Sequence, residues 1–373
     1  MMRAVNGFAL AIALALLLLP SLAFAQSSET ASQTDWKKVL HAAKKEGKVV
    51  VSIPASAELR KGIEETFLKR FGIGVESVAA RAATIVRKIL EESRSGIQYF
   101  DLHLGGSESI VTGLLPEGIL DPVESWMILP AVKEPKNWWG GHIWADNAKR
   151  YIYSSIADQT QNIWYNTNLM KPEEVQSFND LLDPKWKSRI GYLDPRTPGS
   201  GASMWSYLWQ LKGEEYLKKL VGQKMLISRD QRVLAENLAK GKVSMTIGLS
   251  YYSFFPFIKS GLPVKALPTP KEGVYVSGGS GHLTIIKDAP HPNATKVFVN
   301  WFLGKEGQEV FSKAMGQGTR RLDVDTQWLK EFGVIAAKDI LTPDQYPKLE
   351  NQSEDKVIKV REPAAEFARK LLD

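Results

Sequence analysis

Strand-like and helix-like hydrophobic patterns alternate along the first part of the chain. Three short apolar segments have the composition of buried strands: residues 48–53, 74–78 and 99–104. Between the first two, Leu59, Ile63 and Phe67 recur near helical spacing. This βαβαβ order predicts an α/β fold with a mostly parallel sheet that helices cover on both faces.

A second set of such units follows residue 152. Strands are expected near residues 162–165, 189–193, 243–247 and 280–286, and helices near residues 202–211, 255–261 and 293–302. The proline-rich stretch 261–270 is interpreted as a crossing back to the first unit. The order predicts two lobes joined by two crossings, with a hinge and an interdomain cleft. The predicted parts are lobe 1 (26–152 and 268–330), lobe 2 (153–267) and a C-terminal helical segment that packs on the lobes (331–373).

The amino terminus predicts export. Residues 8–19 form an uninterrupted apolar run that is too short to span a membrane. The segment 20–25 then ends in a small-x-small cleavage pattern. We expect a signal peptide over residues 1–25, cleavage after Ala25 and a bacterial periplasmic location.

Composition excludes several classes of function. The absence of cysteine excludes thiolate catalysis and cysteine-ligated metals. The 48 basic and 41 acidic residues give a net charge of +7, but the basic residues are spread over the helices. This argues against nucleic-acid binding and is compatible with an anionic solute.

Two adjacent tyrosines, Tyr251 and Tyr252, follow the apolar segment 243–247. The carboxyl end of a strand is where open α/β sheets bind ligands, so the phenol oxygens are candidate ligand contacts. Adjacent tyrosines also occur as ordinary packing residues. Several tryptophans in the middle of the chain leave a similar choice between stacking on a solute and core packing.

A glycine-rich turn is the second candidate. Gly199, Ser200 and Gly201 lie between a predicted strand and a predicted helix, where backbone amides and the helix dipole favour an anion. Arg196, just before the turn, could add a charge-assisted contact. The alternative is an ordinary glycine turn.

Further candidates lie in the first lobe. Ser56 and Ser107 each follow a strand and precede a helix, so each could contact solute or cap its helix. Arg81 lies in a loop without other charges and is a candidate anion contact. Arg320 and Arg321 are expected to be a solvated pair, although one of them could contact a ligand.

Catalytic motifs are missing. Residues 278–282 read Gly-Gly-Ser-Gly-His and lack the final glycine of a nucleophile elbow. Walker and Rossmann glycine patterns are absent, and the five histidines form no pair at helical spacing. We therefore expect no enzyme and no cofactor, with an exported hydrolase as a remote alternative.

Several fragments together resemble a known family: Phe100–Gly105, Gly118–Pro122, Trp164–Leu169, Lys185–Gly191, Ser250–Tyr252 and Phe302–Gln308. The chain resembles the periplasmic solute-binding proteins of bacterial ABC importers, extracellular solute-binding family 1. Within the type II group it is similar to the ferric-ion-binding branch. The resemblance implies a two-lobed type II periplasmic binding protein fold, capture of a solute by hinge closure, and a monomer that serves an ABC permease and its ATPase.

The resemblance also bears on the ligand. Tyr251 and Tyr252 fall where ferric members hold iron with two tyrosines. Ser56 and Gly106 stand where those members commonly have a histidine and a carboxylate. The leading prediction is therefore a small anionic organic solute. The alternative is ferric iron, held by the tyrosine pair with an exogenous synergistic anion.

Overall fold

Two α/β lobes and a small connecting sheet make up the computed structural model, which describes residues 34–160 and 163–373. The predicted signal peptide lies outside the described residues. Within those ranges, no helix combines the length and the hydropathy needed to span a bilayer. The predicted α/β class is confirmed.

The first lobe is built on a mixed sheet. Its strands are β1 (Lys48–Ile53), β2 (Gly74–Ala79), β3 (Leu102–Gly105), β4 (Leu120–Asp121), β5 (Tyr153–Ser154) and β13 (His282–Ile286). The order is β2-β1-β3-β13-β4, and β5 also pairs with β13. β1 is parallel to β2 and β3, but β13 is antiparallel to β3, β4 and β5. The prediction of a mostly parallel sheet holds for β1 to β3 only, because β13 enters from the second lobe in the opposite direction.

The second lobe has a five-stranded sheet. Its strands are β7 (Ile163–Asn166), β8 (Ile190–Leu193), β9 (Leu226–Ser228), β10 (Met245–Ile247) and β11 (Val264–Ala266). The order is β11-β7-β10-β8-β9. The segment 261–270 is therefore not the predicted crossing. Its residues 264–266 form an edge strand, because their backbone pairs with β7.

A three-stranded sheet connects the lobes. It consists of β6 (Asp158–Thr160), β12 (Val276–Ser277) and β14 (Val334–Ala336), with β6 in the centre and antiparallel to both neighbours. β6 leads into the second lobe and β12 leads back. Because β5 still belongs to the first sheet, the outgoing crossing begins after residue 154 and not at residue 153. The other predicted lobe boundaries remain predictions.

Helices cover the sheets. The longer ones are α1 (residues 34–46), α2 (Ala57–Phe71), α3 (Ala82–Arg94), α4 (Ser200–Gly222), α5 (Gln231–Ala239), α6 (Pro292–Phe302), α7 (Lys305–Met315) and α8 (Glu362–Leu372). Short helical segments include Ser107–Ser109, Tyr251–Ser253, Phe255–Lys259, Tyr346–Leu349 and Glu354–Lys356. α4 contains a break at Gly213, whose φ of 77° is not helical.

The C-terminal segment contributes to both lobes. Val357 is buried in a core cluster on one face of the first sheet. Ala364 and Ala368, in α8, belong to the core of the second lobe. There the indole nitrogen of Trp205 in α4 donates to the carbonyl oxygen of Ala364 at 3.0 Å. The last residues therefore pack on both lobes.

Candidate functional site

The tyrosine pair follows β10 in a tight helical turn. Tyr251 is buried among aromatic rings, with its ring centroid 4.7 Å from that of Phe332. Tyr252 is partly buried and packs against the core of the first lobe. Its hydroxyl accepts a hydrogen bond from Gln231 Nε2 at 2.9 Å. Tyr252 therefore contacts both lobes.

Both phenols favour their neutral form. Burial raises the pKa of Tyr251, and the nearby Glu331 raises it further. Burial also raises the pKa of Tyr252, although the hydrogen bond from Gln231 opposes the change. In the described ranges, no group of three or more histidine, cysteine, aspartate or glutamate side chains is placed to hold a metal ion. A ferric ion at this turn would need the two phenolates among its ligands.

The glycine turn begins α4 at the edge of the second sheet. Gly201 packs so closely on β8 that a Cβ there would lie 2.2 Å from the carbonyl oxygen of Leu193. Ser200 Oγ donates to the carbonyl oxygen of Gly248, just after β10, at 2.5 Å. These contacts fix the amino end of a long helix, whose first amides have no partner within the helix and favour an anion.

A carboxylate of the first lobe already lies at this helix end. Glu108 Oε2 accepts the amide hydrogen of Gly199 at 3.1 Å. The same oxygen accepts from Arg361 Nη2, which also donates to the carbonyl oxygen of Gly199 at 3.2 Å. Glu108 is 5 % exposed and Arg361 is 2 % exposed. Burial raises the pKa of the Glu108 carboxyl, while Arg361 and the Gly199 amide act in the opposite direction.

The two predicted serines have different surroundings. Ser56 caps α2 by accepting the amide hydrogen of Leu59 at 3.2 Å, and it lines an open cavity beside Arg60 and Lys61. Ser107 is fully buried, and its hydroxyl lies 2.6 Å from the carbonyl oxygen of Gln352 and 2.8 Å from its Oε1. The C-terminal segment therefore covers Ser107, while Ser56, although only 7 % exposed, lines a surface cavity.

The predicted arginines also differ. Arg81 is exposed at the amino end of α3. Arg196 binds both oxygens of Asp194 at 2.9 Å and one oxygen of Asp373 at 2.6 Å, and these hydrogen bonds raise its pKa. Its guanidinium therefore anchors the C-terminus on the second lobe.

The expectation of a solvated Arg320–Arg321 pair is wrong. Arg320 is 1 % exposed and donates to the carbonyl oxygens of residues 139, 141 and 154. Arg321 is 3 % exposed and pairs with Asp323. Carbonyl oxygens and one carboxylate replace the water that the two guanidinium groups would otherwise need.

The structure brings Gly199, Ser200 and Gly201 together with two residues that were not predicted. Glu108 lies two positions after Gly106, where the resemblance places a carboxylate, so the sequence held a weak signal for it. Arg361 is 253 positions from Glu108, and no local pattern marks it.

Two α/β lobes, joined by paired crossings and meeting at a helix amino end, define a two-lobed binding protein. Residues 118–309 match the family model described as "Bacterial extracellular solute-binding protein". The chain belongs to this family of solute-binding proteins. A relative from Haemophilus influenzae, an uncharacterised protein, is 25 % identical over 273 residues, which cover 71 % of this chain and 75 % of the relative.

Solved structures show the same fold. The periplasmic binding protein AfuA from Actinobacillus pleuropneumoniae, with fructose-6-phosphate bound, superposes with a TM-score of 0.65 at 20 % identity. Iron-bound HitA from Pseudomonas aeruginosa superposes with a TM-score of 0.62 at 18 % identity. Each comparison covers 87 % of this chain and 99 % of the other. The predicted two-lobed periplasmic binding protein fold and the similarity to the ferric-binding branch are confirmed.

Proposed function

We propose that the protein is the solute-capturing component of a bacterial ABC importer, and that it binds a small anionic organic solute between its lobes. Family membership supports the general role. The observation that supports an anionic ligand is the hydrogen bond from the Gly199 amide to the Glu108 carboxylate. Because that helix end already holds a carboxylate from the opposite lobe, it suits an acidic solute.

The proposed site has a part in each lobe. The second lobe supplies Gly199–Gly201 and the hydroxyl of Tyr252, and the first supplies Ser56 and Arg81. Arg196 and Ser107 are left out, because the C-terminal segment already takes up their polar groups. Solute contacts to both lobes would stabilise the closed form over an open one. A monomer in the periplasm would then present the closed form to a membrane permease, without chemical turnover.

Ferric iron is the second candidate. The adjacent tyrosines favour it, and HitA, a structure of the same fold, is iron-bound. The raised pKa of each phenol and the absence of a nearby metal-ligand cluster among the described residues weigh against it.

A ligand screen separates the two candidates. Mature protein is heated with small carboxylates and phosphate esters, including fructose-6-phosphate, and separately with ferric citrate. We expect a saturable rise of Tm with at least one organic anion, no visible ferric-phenolate band, and no turnover of ester or peptide substrates.

Tyrosine variants assign the outcome. We expect Tyr252→Phe to weaken binding of the organic anion, whereas Tyr207→Phe, at a partly buried tyrosine that bonds the Glu272 carbonyl oxygen, should not. A visible band that ferric citrate induces and that Tyr251→Phe removes would establish iron and overturn the organic-anion proposal.

A further inference from the structure

The carboxylate at the amino end of α4 joins three parts of the chain. Glu108 comes from the first lobe, Gly199 from the second and Arg361 from the C-terminal segment. All three meet at the single oxygen Glu108 Oε2. Since Glu108 and Arg361 are both buried, the contact lies inside the boundary between the lobes.

Two further donors beside this contact lack an acceptor. Arg361 Nη1 lies 3.5 Å from the carbonyl oxygen of Asn351, which makes these residues neighbours. In the described part of the chain, neither Arg361 Nε nor Asn351 Nδ2 has a hydrogen-bond partner. Asn351 is 9 % exposed and Arg361 is 2 % exposed, so water reaches neither side chain freely. A buried donor without an acceptor destabilises a structure. Glu108 accepts from Arg361 Nη2 but leaves Arg361 Nε and Asn351 Nδ2 without a partner among the described residues.

We propose that Glu108 occupies the place of the solute's acidic group in the solute-free protein, and that Arg361 and Asn351 bind that group once it displaces Glu108. One anion would replace another against a single guanidinium, which favours solutes with one compact oxyanion. Glu108 uses only its Oε2 here, whereas a carboxylate solute offers two acceptor oxygens and a phosphate monoester offers three terminal ones. Because this role rests on the proposed function, the solute is the same one that the glycine turn holds.

The surroundings of Glu108 make the exchange feasible. It lies in the first turn of a continuous helical stretch, residues 107–117, and not in a strand of the sheet. Burial raises the pKa of its carboxyl, which means that its ionised form is less stable there than in water. Departure of the side chain toward solvent therefore recovers hydration that burial at this contact removes.

Removal of the internal carboxylate tests the proposal. In Glu108→Ala, acetate and inorganic phosphate are titrated at constant ionic strength, and binding is followed by Tm and calorimetry. We expect saturable binding at least about tenfold tighter than in the native protein, because no internal competitor remains. Glu108→Gln is the near-isosteric second variant. Glu117→Ala, at an exposed partner of Arg94, is the matched control and should bind as the native protein does.

A second substitution identifies the receiving group. Adding Arg361→Gln to Glu108→Ala should abolish the increase in anion affinity that Glu108→Ala alone produces. Equal anion affinity in the native protein and both Glu108 variants, or a gain that survives the loss of Arg361, would overturn the proposal. A native protein that binds no organic anion, together with a gain in Glu108→Ala, would refute the proposed function alone. Binding of an organic solute by the native protein without any gain in the variants would refute only the role of Glu108.

Discussion

Asp158, in the central strand of the connecting sheet, should make stability fall as pH rises. Its side chain is 2 % exposed, and it accepts the Gly318 amide hydrogen at 2.8 Å. Burial raises the pKa of Asp158 from 3.8 to about 7, and the hydrogen bond from Gly318 opposes this change only in part. Between these two pH values the unfolded chain is ionised while the folded protein keeps its proton. The folded state therefore loses stability across that window.

The magnitude follows from the two pKa values. At about 1.4 kcal/mol per pKa unit, the interval from 3.8 to about 7 corresponds to about 4 kcal/mol. Asp158→Asn keeps an oxygen for the Gly318 amide and cannot ionise. Relative to the native protein, we expect the variant to gain about 4 kcal/mol between pH 4 and pH 7, and no more above that range.

Urea unfolding followed by tryptophan fluorescence, from pH 4.5 to 8.5, measures this difference. The difference between variant and native protein matters, because the other titrating groups are common to both. Asp355→Asn is the control, since this exposed carboxylate pairs with Lys359, which lowers its pKa. A stability difference for Asp158→Asn that stays constant with pH would show that Asp158 is ionised when folded, and the reasoning would fail.

Three further predictions concern packing and buried charge. Gly201→Ala forces a Cβ against the carbonyl oxygen of Leu193 and should lower the free energy of unfolding by ~1–3 kcal/mol. Gly222→Ala, in the same helix, meets no atom within 4 Å and should leave Tm unchanged or higher. Equal Tm values for the two variants would contradict this prediction. Burial lowers the pKa of His103 to about 4, so the contribution of His103 to stability should fall as pH drops from 6.5 to 4. The native protein should therefore lose stability relative to His103→Gln over this range, and a difference in urea midpoint that does not change with pH would refute the prediction. Arg320→Leu removes the guanidinium that donates to buried carbonyl oxygens and should lower the free energy of unfolding in urea by ~3–5 kcal/mol. Arg87→Leu, at an exposed ion pair, should change it little. A small loss for Arg320→Leu would mean that the hydrogen bonds of Arg320 contribute little to stability.

Local patterns predicted much of the architecture. The residues of β1 are mostly apolar and branched, and the helix that follows carries a serine cap and an apolar stripe, so both were recognisable. The edge strand β11 was missed because proline on both sides of it resembled an irregular crossing. The antiparallel direction of β13 depends on the path of the chain through the second lobe, so it could not be predicted from the residues of β13 alone.

Only the part of the candidate site that lies in the second lobe was predictable from the sequence. The glycine turn and the tyrosine pair each follow a strand, and a local pattern can show that. Ser107 meets Gln352 across 245 positions, and Glu108 meets Arg361 across 253. Contacts of this range depend on how the C-terminal segment folds back, so no spacing rule reveals them. Burial of Arg320 was missed for the same reason, since its carbonyl partners lie far away in sequence.

The position of α8 has a consequence for the order of events during synthesis. All five strands of the second sheet are complete by residue 266, yet Ala364 and Ala368 belong to the core of that lobe. Because a chain is made from its amino end, the apolar surface that α8 covers remains exposed until residues 362–372 have been made. Val357 closes part of the first lobe at the same late moment. Neither lobe can reach its final packing ahead of the other, because residues 357–368 belong to the cores of both.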